Sequence, residues 1–445
     1  MSITLEVRLE NLTEPIGYLT AGDDKATSFS YLDSYLALSN SIPLSIALPL
    51  TPIPFNDVET RTFFDNLLPE NNQLQQTMDR ENLSRDDIVG LLFHLGSDCP
   101  GAISCIPLGE APIKVPGDLN ADYDELIEND LTEIVRRLAD REPLPNKFRD
   151  QSPIAGVQRK IAITVLANGG FGLPKPGLRV PTTHILKVPR RGKGREARLE
   201  TAAAQLGQAC GLMVAQPQVI QIGDVEALLI PRFDRRVFSG RVARVHQEDF
   251  AQALGLPASF KYQRYGKDGR RFDAIAIAEL LNKTVEPAVA IDEFLRSTVF
   301  NLAIGNTDNH AKNHALIYDL GTAPRLAPLY DLLPVRLDPD VRPDLSFNIG
   351  AASQLNDIDI DAFVSFLSSF GLSKNAIRRF ISDSIVPMLK TLDQASIGLT
   401  SEGLKDFDDL IGRELSQLIK AIHVDFPTRD RDHYESRGGG WKMSS

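Results

Sequence analysis

The stretch at residues 304–319, IGNTDNHAKNHALIYD, places acids, amides, two histidines and a lysine between two apolar ends. Asp308 and Asn313 are five residues apart, and Asp331 follows in APLYDLLP, 18 residues after Asn313. Phosphoryl transfer from ATP requires a carboxylate near the attacking hydroxyl and oxygen ligands for magnesium. Because Mg2+ prefers hard oxygen ligands and completes its shell with water and phosphate, the pattern predicts a site for ATP and Mg2+.

An upstream lysine and glutamate have the spacing that a nucleotide site needs. Asp308 and Asn313 reproduce the acid-to-amide spacing of the protein-kinase catalytic loop, HRDxxxxN. Lys187 ends the predicted strand THILK, and Glu200 lies 13 residues later on a predicted helix, as in the kinase lysine–glutamate pair. AGVQRK at 155–160 occupies the position of a phosphate-covering loop, with one glycine where ordinary kinases have three. The order of these elements favours a kinase-like site.

Each feature also has a purely structural interpretation. Asp308 and Asn313 are residue types that cap helices or close turns. His310 and His314 are four apart and could both face a zinc ion on a helix, but the glutamate of HExxH and an evident third ligand are missing. The basic run at 190–198 fits a solvated loop, or a contact with phosphate or nucleic acid. The constellation as a whole is therefore stronger evidence than any member alone.

Length, charge and cysteine content limit the class of protein. At 445 residues the chain is long enough for two or three domains, and 42% hydrophobic residues indicate a folded protein. The net charge of −11 has the wrong sign for a protein whose whole surface follows nucleic acid. Cys99, Cys105 and Cys210 lack CxxC spacing and are expected to be buried free thiols. The first residues lack signal-peptide order, and no apolar run approaches about 18 residues, so we expect a cytoplasmic protein with no membrane partner.

The rest of the chain predicts the elements that position these residues. Short alternating strands such as SITLEVRL and PIGYLTA, with helical stretches such as TRTFFDNLLPENNQLQQTM, come first. An amphipathic helix in DYDELIENDLTEIVRRLADREP follows, then strands, a helix that stops at Gly211, and further strands. Beyond about residue 245 the pattern is mainly helical. We therefore predict an α/β (α+β) chain in which a mixed region precedes a helical one.

These motifs resemble the HipA family of bacterial Ser/Thr kinases, the toxins of HipBA toxin–antitoxin modules. They run through nearly the whole chain: FFDNLLPEN, LGSDCPGAI, SPIAGVQRK, PTTHILK, PRFDRR, EDFAQALGLP, IGNTDNHAKNH and LAPLYDLLP. The resemblance implies a two-lobed protein-kinase-like fold with a small N-terminal mixed α/β domain. The implied division is an N-terminal domain at 1–112, a connecting helix and linker at 113–148, a mixed N-lobe with the phosphate loop at 149–240, a mainly helical C-lobe with the catalytic loop at 241–425 and a flexible tail at 426–445.

The resemblance also implies roles for individual residues. Asp308 would be the catalytic base, with Lys312 stabilising charge on the transferred group. Asn313 and Asp331 would hold Mg2+, and Asp331 would thereby join the catalytic residues. The expected nucleotide contacts are Lys187 with its partner Glu200, the hinge residues Arg232 and Phe233, the catalytic-loop residues His310 and Asn313, the pair Tyr330 and Asp331, and the phosphate-loop residues Ala155, Gly156, Val157, Gln158, Arg159 and Lys160.

Two positions depart from the family pattern. Pro231 precedes Arg232 at the hinge, where the best-known relatives have glutamate, and proline has no backbone donor. Pro153 precedes IAG, where the family can carry an autophosphorylated serine that ejects the phosphate loop, and Ser152 is one residue upstream. The two family properties that these departures affect are one backbone contact to adenine, at Pro231, and self-inactivation by phosphorylation at the position of Pro153.

The resemblance implies a partner and a target as well. The partner would be a HipB-like antitoxin whose helix-turn-helix carries the complex to operator DNA. The target would be an aminoacyl-tRNA synthetase, whose phosphorylation inhibits translation and favours growth arrest or persistence. Two alternatives remain: a small-molecule kinase of the aminoglycoside or sugar type, which keeps the same acid and amide spacing, and a non-catalytic corepressor bound to an antitoxin. The intact Asp308, Asn313, Asp331 and Lys187 argue against the second.

Overall fold

The computed structural model of the chain describes residues 3–10, 12–68, 72–148, 159–429 and 431. These residues form a mixed helix and sheet structure with an N-terminal unit, an N-lobe and a C-lobe. Within these ranges no helix is long and apolar enough to cross a membrane. The three cysteines are buried free thiols, which confirms that prediction.

The N-terminal unit is built around one antiparallel sheet. Its elements are β1 (Ile3–Leu9), β2 (Gly17–Ala21), β3 (Thr27–Tyr31) and β4 (Ile103–Pro107), with α1 (Asp33–Leu36), α2 (Asp57–Asp65), α3 (Asn72–Glu81) and α4 (Ile88–Leu95). The strands lie in the order β3-β2-β1-β4. β2 and β3 alternate buried and half-buried residues, the two-residue period of a strand with one face on a core. α2 begins with a capping box, in which Asn56 and Glu59 satisfy each other's backbone N–H groups.

The N-lobe contains a six-stranded antiparallel sheet, a three-stranded sheet and two helices. Its elements are β5 (Gly117–Asp118), β6 (Tyr123–Glu125), α5 (Glu128–Ala139), β7 (Lys160–Val165), β8 (Phe171–Pro174), β9 (His184–Lys187), α6 (Arg195–Ala209), β10 (Gln218–Ile222), β11 (Val225–Pro231), β12 (Arg235–Phe238) and β13 (Arg241–Arg244). The six-stranded sheet has the order β10-β11-β9-β7-β8-β6, the three-stranded sheet has the order β12-β13-β5, and α5 and α6 pack against β10 and β11. The predicted helix stop is present, because Gly211 has a φ of 71° just beyond α6.

Residues 113–148, predicted as a connecting helix and linker, also form part of the N-lobe sheets. β6 pairs with β8 at the edge of the large sheet, and β5 pairs with β13. The hydroxyl of Tyr123 donates a hydrogen bond of 2.6 Å to the carbonyl of Pro181, which ties this segment to the lobe. Strands of two or three residues contain too few alternating positions to be recognised in a sequence, so the pattern indicated only the helix.

The C-lobe is mainly helical, as predicted, and contains two small sheets. Its elements are β14 (His246–Asp249), α7 (Phe250–Ala253), α8 (Ala274–Leu281), α9 (Pro287–Ala303), β15 (Ala315–Tyr318), β16 (Arg325–Leu326), β17 (Asp344–Ile349), β18 (Ala352–Gln354), α10 (Ile360–Ser369), α11 (Lys374–Phe380), α12 (Val386–Ala395), α13 (Gly398–Ser401) and α14 (Lys405–Ala421). One sheet has the order β14-β15-β16, and β17 and β18 form a hairpin. A π-helical segment, Ile381–Ile385, joins α11 to α12.

Two large hydrophobic cores underlie these units. The larger core runs without a break from the N-terminal unit, where it includes Phe29 and Phe64, to the C-lobe, where it includes Phe294 and Phe363. The N-lobe sheet has a separate core that includes Leu186. α6 belongs to the N-lobe by position but contributes several residues to the larger core and packs against α12. The N-terminal unit and the C-lobe are therefore held together by one continuous core.

Buried polar contacts strengthen the junctions of the N-terminal unit with both lobes. Glu10 and Arg244 form an ion pair of 2.5 Å in which 0% and 1% of the side chains are exposed. Glu248 on β14 accepts hydrogen bonds from the hydroxyls of Ser45 and Tyr318. Breaking a buried ion pair leaves a charge without its partner, which is strongly destabilising. These contacts therefore fix the N-terminal unit to β13 at the end of the N-lobe and to β14 at the start of the C-lobe.

The flexible tail predicted at 426–445 requires a correction at its start. Phe426 is buried, and the guanidinium of Arg431 lies 2.8 Å from Asp393 and 3.1 Å from Asp408. Arg429 also bonds to both of these buried acids. The physical reason is that Asp393 and Asp408 need cationic partners, whereas the sequence showed only an ordinary run of charged residues. Residues 430 and 432–445 lie outside the described residues.

Candidate active site

The catalytic loop leaves the end of α9 at a tight turn. α9 begins with proline in its first turn, where the missing backbone N–H costs nothing. Gly305 follows the helix with a φ of 71°, and a Cβ there would lie 2.9 Å from the side chain of Leu410. Glycine is therefore required both by the backbone and by the space. The side chain of Asn306 then accepts a 3.3 Å hydrogen bond from the backbone N–H of Asp308.

The same loop fixes Asp308 and Asn313 relative to each other. The side-chain amide of Asn313 donates a hydrogen bond of 2.9 Å to the backbone carbonyl of Asp308. Ala311–Asn313 form a short 3-10 turn, after which the chain enters β15. Because the Nδ2 group of Asn313 is used in this bond, its Oδ1 atom is the part of the side chain suited to binding a cation. The predicted acid and amide are thus brought together by the loop itself.

Asp308 is half-buried and has a tyrosine as its direct neighbour. The hydroxyl of Tyr262 donates a hydrogen bond of 2.7 Å to Oδ1 of Asp308. Burial of the phenol, together with this carboxylate, raises the pKa of Tyr262, so the hydroxyl keeps its proton. One carboxylate oxygen of Asp308 is therefore oriented by a neutral donor, as a base that receives a proton would need to be.

Lys187 joins two acids that lie far apart in the chain. Its ammonium is 2.7 Å from Glu200 on α6 and 2.8 Å from Asp331. Burial disfavours the charged ammonium, but the two carboxylates outweigh it and raise the pKa of Lys187. Burial also pulls the pKa of Glu200 upward while Lys187 opposes this, and we take the pair as ionised because Lys187 holds its proton. The predicted lysine–glutamate pair is present.

Asp331 is suited to binding a ligand. Its φ of 57° lies in the left-handed region, which aspartate enters more readily than most residues. About two fifths of its side chain, 43%, is exposed even though Lys187 bonds to one oxygen. Partial burial opposes ionisation, but Lys187 and Lys160 hold the pKa of Asp331 below its usual range. It is therefore an ionised carboxylate open to solvent.

The donor set fits magnesium better than it fits a transition metal. The candidate ligands are the amide oxygen of Asn313 and the carboxylate of Asp331, and both are hard oxygen donors. In the part of the chain that the structure describes, no group of three or more His, Cys, Asp or Glu could hold a metal by itself. Mg2+ commonly binds one or two protein oxygens and takes its other ligands from water and substrate phosphates. These two residues therefore remain the predicted metal ligands.

The two histidines of the loop lie in different surroundings. The ring of His310 contacts Tyr262 edge-on at 5.1 Å, and its buried Nδ1 atom has no hydrogen-bond partner among the residues that the structure describes. Burial and the nearby Lys261 lower the pKa of His310. His314 packs against Phe294 at 5.2 Å, and burial lowers its pKa to about 3. His314 is thus a core residue, and His310 alone remains beside Asp308.

Lys312 lies in a different environment from the one expected. Its ammonium is 3.0 Å from Oδ2 of Asp249, at the start of α7, and 3.3 Å from Oδ1 of Asn66, in the N-terminal unit. Its backbone carbonyl accepts a 2.8 Å hydrogen bond from the hydroxyl of Tyr330. These contacts tie the side chain to the protein, and the role of Lys312 in stabilising charge on the transferred group stays a prediction.

The predicted adenine-hinge residues are only partly available to a nucleotide. The guanidinium of Arg232 makes two hydrogen bonds to Asp234, at 2.9 and 2.8 Å, and its backbone N–H donates to Thr183. The ring of Phe233 lies 5.4 Å from that of Tyr330, against a small apolar cluster. These two rings therefore provide an apolar surface, while Arg232 mainly holds the backbone in place.

The phosphate-loop prediction falls largely outside the described residues. Ala155, Gly156, Val157 and Gln158 are not described, and the same holds for Ser152 and Pro153. The backbone carbonyl of Arg159 accepts a hydrogen bond of 2.9 Å from the N–H of Val188. Lys160 pairs directly with Lys187 across β7 and β9 and acts electrostatically on Asp331 and Glu200. The described end of the segment thus lies beside the predicted site.

Sequence reasoning missed three residues of the site. Tyr262, Asn66 and Asp249 contact the catalytic loop through side chains from other parts of the chain. Asn66 lies within FFDNLLPEN and Asp249 within EDFAQALGLP, so both occur in motifs that the sequence singled out. No periodicity or spacing links such distant segments, and only the folded chain brings them together.

Comparisons with known proteins agree with this geometry. Residues 5–106 match the HipA N-terminal domain, and residues 152–391 match the HipA-like C-terminal domain. A Sinorhizobium fredii protein named "Putative kinase Y4mE" is 34% identical over 372 residues, which is 83% of this chain and 87% of that protein. The chain belongs to the HipA family. The resemblance seen in the sequence is thereby confirmed.

Other HipA relatives support the family and the fold. The Shewanella oneidensis protein named serine/threonine-protein kinase toxin HipA is 29% identical over 84% of this chain and 85% of its own length. A solved complex of HipA, HipB and operator DNA from Shewanella oneidensis MR-1 contains a chain that matches with a TM-score of 0.76 and 25% identity. The match covers 94% of this chain and 98% of that chain. The predicted fold is confirmed, and the chain is a member of a family of kinases and toxins.

Proposed function

We propose that this HipA-family chain is an ATP- and Mg2+-dependent protein Ser/Thr kinase that acts as the toxin of a HipBA-type toxin–antitoxin system. The observation that supports this most directly is the contact of Lys187 with both Glu200 and Asp331, at 2.7 and 2.8 Å. Kinases require this lysine–glutamate pair beside a metal-binding acid. The catalytic loop with Asp308 and Asn313 supplies the remaining expected groups.

In this proposal each residue has a defined task. Lys187 would bind ATP phosphates, and Asn313 with Asp331 would hold Mg2+. The metal would neutralise charge on the phosphates of ATP. Asp308 would accept the proton of the attacking serine or threonine hydroxyl, while the hydroxyl of Tyr262 orients its carboxylate. These tasks need little movement of Asp308 itself, because the loop hydrogen bonds already fix its backbone.

The proposed partner is a HipB-like helix-turn-helix antitoxin, with operator DNA bound mainly through that antitoxin. The solved complex of the Shewanella oneidensis relative with HipB and operator DNA supports this partnership. The net charge of −11 fits a chain that does not bind DNA over its whole surface. The proposed substrate is an aminoacyl-tRNA synthetase in the cytoplasm, whose phosphorylation would inhibit translation and cause growth arrest or persistence.

The test is growth after induced expression, combined with phosphopeptide mapping of the same cells. The wild type is compared with Asp308→Gln and Asp331→Gln, and with Asp340→Gln, a control with the same change at an exposed position outside the site. Growth arrest and a new synthetase phosphosite in the wild type and the control alone would support the proposal. Equal growth and no new phosphosite in all four strains would contradict it, because catalysis would then play no part.

A further inference from the structure

The hydroxyl of Tyr262 has the contact that a phosphoryl acceptor needs. It donates a hydrogen bond of 2.7 Å to Oδ1 of Asp308, the proposed base. An attacking hydroxyl must lie within hydrogen-bond reach of the group that takes its proton, at about 2.6–3.2 Å. Among the described residues, no other side-chain hydroxyl bonds to Asp308. The chain therefore places one of its own hydroxyls where an acceptor would lose its proton.

The neighbours of Tyr262 in the chain are tied to the protein on both sides. The carbonyl of Lys261 accepts a hydrogen bond of 3.0 Å from the N–H of Ala311 in the catalytic loop. The side-chain oxygen of Gln263 accepts a hydrogen bond of 2.7 Å from the backbone N–H of Asn348 on β17. A reacting group held in this way does not have to be brought to the site by diffusion, which favours its reaction over that of a dissolved acceptor.

The proton of this hydroxyl requires a base. Burial raises the pKa of Tyr262, and the carboxylate of Asp308 raises it further, so the phenol stays protonated near neutral pH. A hydroxyl is a weak nucleophile until a base takes its proton. Asp308 is already bonded to the hydroxyl, and both side chains are only half-buried, so the phenol oxygen lies beside the open part of the site.

Two cations flank the ring of Tyr262 and fit a phosphate on its oxygen. The guanidinium of Arg264 lies 4.2 Å from the ring centre, and the ammonium of Lys261 lies 5.4 Å from it. Arg264 also holds the local fold, because its Nη1 atom donates a hydrogen bond of 3.4 Å to the carbonyl of Leu345. A guanidinium has five N–H donors, so this bond leaves others for a phosphate. Phosphotyrosine carries a charge of about −1.5 to −2 at pH 7 and is stabilised by such cations.

We propose that Tyr262 is a phosphoryl acceptor of the chain's own active site. This inference rests on the proposed kinase function and adds an intramolecular acceptor to it. Asp308 takes the proton of the hydroxyl, and the tyrosine oxygen forms a bond to the γ-phosphorus of the co-substrate ATP. The bond from that phosphorus to the oxygen of ADP breaks, and ADP leaves with its electron pair. Only Oδ1 of Asp308 bonds to Tyr262, so Oδ2 remains for the hydroxyl of another protein.

The test uses the full chain, treated first with a phosphatase that is then removed. The chain is incubated with ATP and Mg2+, and its phosphorylated residues are mapped by mass spectrometry over time and at several protein concentrations. Tyr262→Phe removes the acceptor oxygen and keeps the ring contacts with Tyr265 and His310. Tyr265→Phe is the matched control, because Tyr265 is exposed and its ring lies 5.8 Å from that of Tyr262.

We expect phosphate at position 262 in the wild type and in Tyr265→Phe. Its rate of formation should not depend on the protein concentration, because acceptor and base belong to one chain. In Asp308→Asn the rate should fall by roughly 10²–10⁴-fold, the usual contribution of a general base. A parallel incubation with γ-labelled ATP and a cell lysate measures transfer to other proteins and so tests the kinase function separately.

Each outcome decides the question. Phosphate at position 262 that forms independently of protein concentration and requires Asp308 would support the inference. Transfer to lysate proteins, or to other residues of the chain, without phosphate at position 262 would overturn it and leave the kinase function standing. A rate that rises with protein concentration would also overturn it, because the phosphate would then come from a second chain. Failure of the wild type to transfer phosphate to itself or to any lysate protein would refute the kinase function, and the inference with it.

Discussion

Asn66 and Lys312 are 246 positions apart in the chain, and their side chains lie 3.3 Å from each other. The same Asn66 amide donates to the carbonyls of Thr62 and Leu256, at 2.9 and 3.0 Å. The N-terminal unit therefore reaches the catalytic loop with a side chain that is itself fixed at two further points. Asp249 holds the ammonium of Lys312 from the other side, at 3.0 Å.

Replacing Asn66 should slow catalysis without weakening ATP binding. In Asn66→Ala we expect kcat for phosphoryl transfer to fall roughly tenfold, since a misplaced loop loses much of the benefit of orientation. The KM for ATP should stay unchanged, because Asn66 contacts the loop and has no assigned nucleotide contact. Steady-state kinetics with a protein substrate would check this. Asn282→Ala is the matched control, because Asn282 also donates to a carbonyl four residues earlier, at the end of α8.

Lys312 and Asn66 should also be energetically coupled. A double-mutant cycle with Asn66→Ala and Lys312→Met should show a coupling of about 0.5–3 kcal/mol in the free energy of unfolding, the range for residues in one polar network. Strict additivity of the two changes would contradict the contact. Asp249→Asn keeps the helix cap while removing the charge, so it should lower the coupling without unfolding α7.

Neutralising Asp308 should abolish most of the transfer rate and leave the fold intact. Asp308→Asn removes the proton acceptor but keeps an oxygen that can receive the hydrogen bond of Tyr262. We expect phosphoryl transfer to fall by roughly 10²–10⁴-fold, the usual contribution of general-base catalysis. Single-turnover transfer measures the loss, and calorimetric titration with ATP and Mg2+ should show nucleotide binding close to that of the wild type. A rate within a few-fold of the wild type would remove Asp308 from its proposed role.

Glu248 should make the protein less stable as the pH rises toward neutrality. Burial raises the pKa of Glu248 to about 7 from 4.5, although hydrogen bonds from Ser45, Tyr318 and Ile46 oppose the shift. The folded state therefore binds this proton more tightly than the unfolded state, so its stabilising effect is complete below about pH 4.5 and is lost as the pH rises through 7. The loss should be on the order of 3 kcal/mol.

The Glu248 effect can be isolated with Glu248→Gln, which is neutral at every pH. The free energy of unfolding of the wild type minus that of the variant should decrease between pH 4.5 and pH 8, as measured by urea denaturation. A difference that is flat or increases over this window would show that Glu248, at the junction with the N-terminal unit, is not a buried acid with a raised pKa.

The end of the described chain should contribute to stability through two arginines. A chain that stops after Thr428 loses Arg429 and Arg431 and leaves Asp393 and Asp408 buried without these partners. We expect a loss of about 3–5 kcal/mol in the free energy of unfolding, the cost of breaking a buried ion pair. A chain that stops after Arg431 is the control and should retain its stability. Equal denaturation curves for the two truncations would contradict the role of these contacts.

The parts of the site that follow local patterns could be predicted from the sequence. Lys187 at a strand end and Glu200 on a helix follow from apolar periodicity and a fixed spacing, and the structure joins them at 2.7 Å. The spacing of Asp308 and Asn313 similarly lies within one loop. Such features depend on neighbouring residues, so the sequence contains the information needed to place them.

The parts that depend on distant segments could not be predicted in this way. The contact of Tyr262 with Asp308 spans 46 residues, and that of Asn66 with Lys312 spans 246. The surroundings of the Lys312 ammonium also follow from these tertiary contacts, which no pattern in the sequence indicated. The short strands β5 and β6 were not predicted for another reason. Their pairing with β13 and β8 holds them in place, and their own residues show too short a pattern to indicate a strand.

Lys187 and Glu200 lie on elements that contribute to different hydrophobic cores. Lys187 ends β9, whose residue Leu186 belongs to the N-lobe core, whereas Glu200 is on α6, which contributes Leu199 and Ala203 to the core shared by the N-terminal unit and the C-lobe. The 2.7 Å contact therefore joins two elements whose apolar residues belong to different hydrophobic cores. A rotation of one core against the other would therefore be expected to separate Lys187 from Glu200 while leaving the loop contact of Asp308 with Asn313 in place.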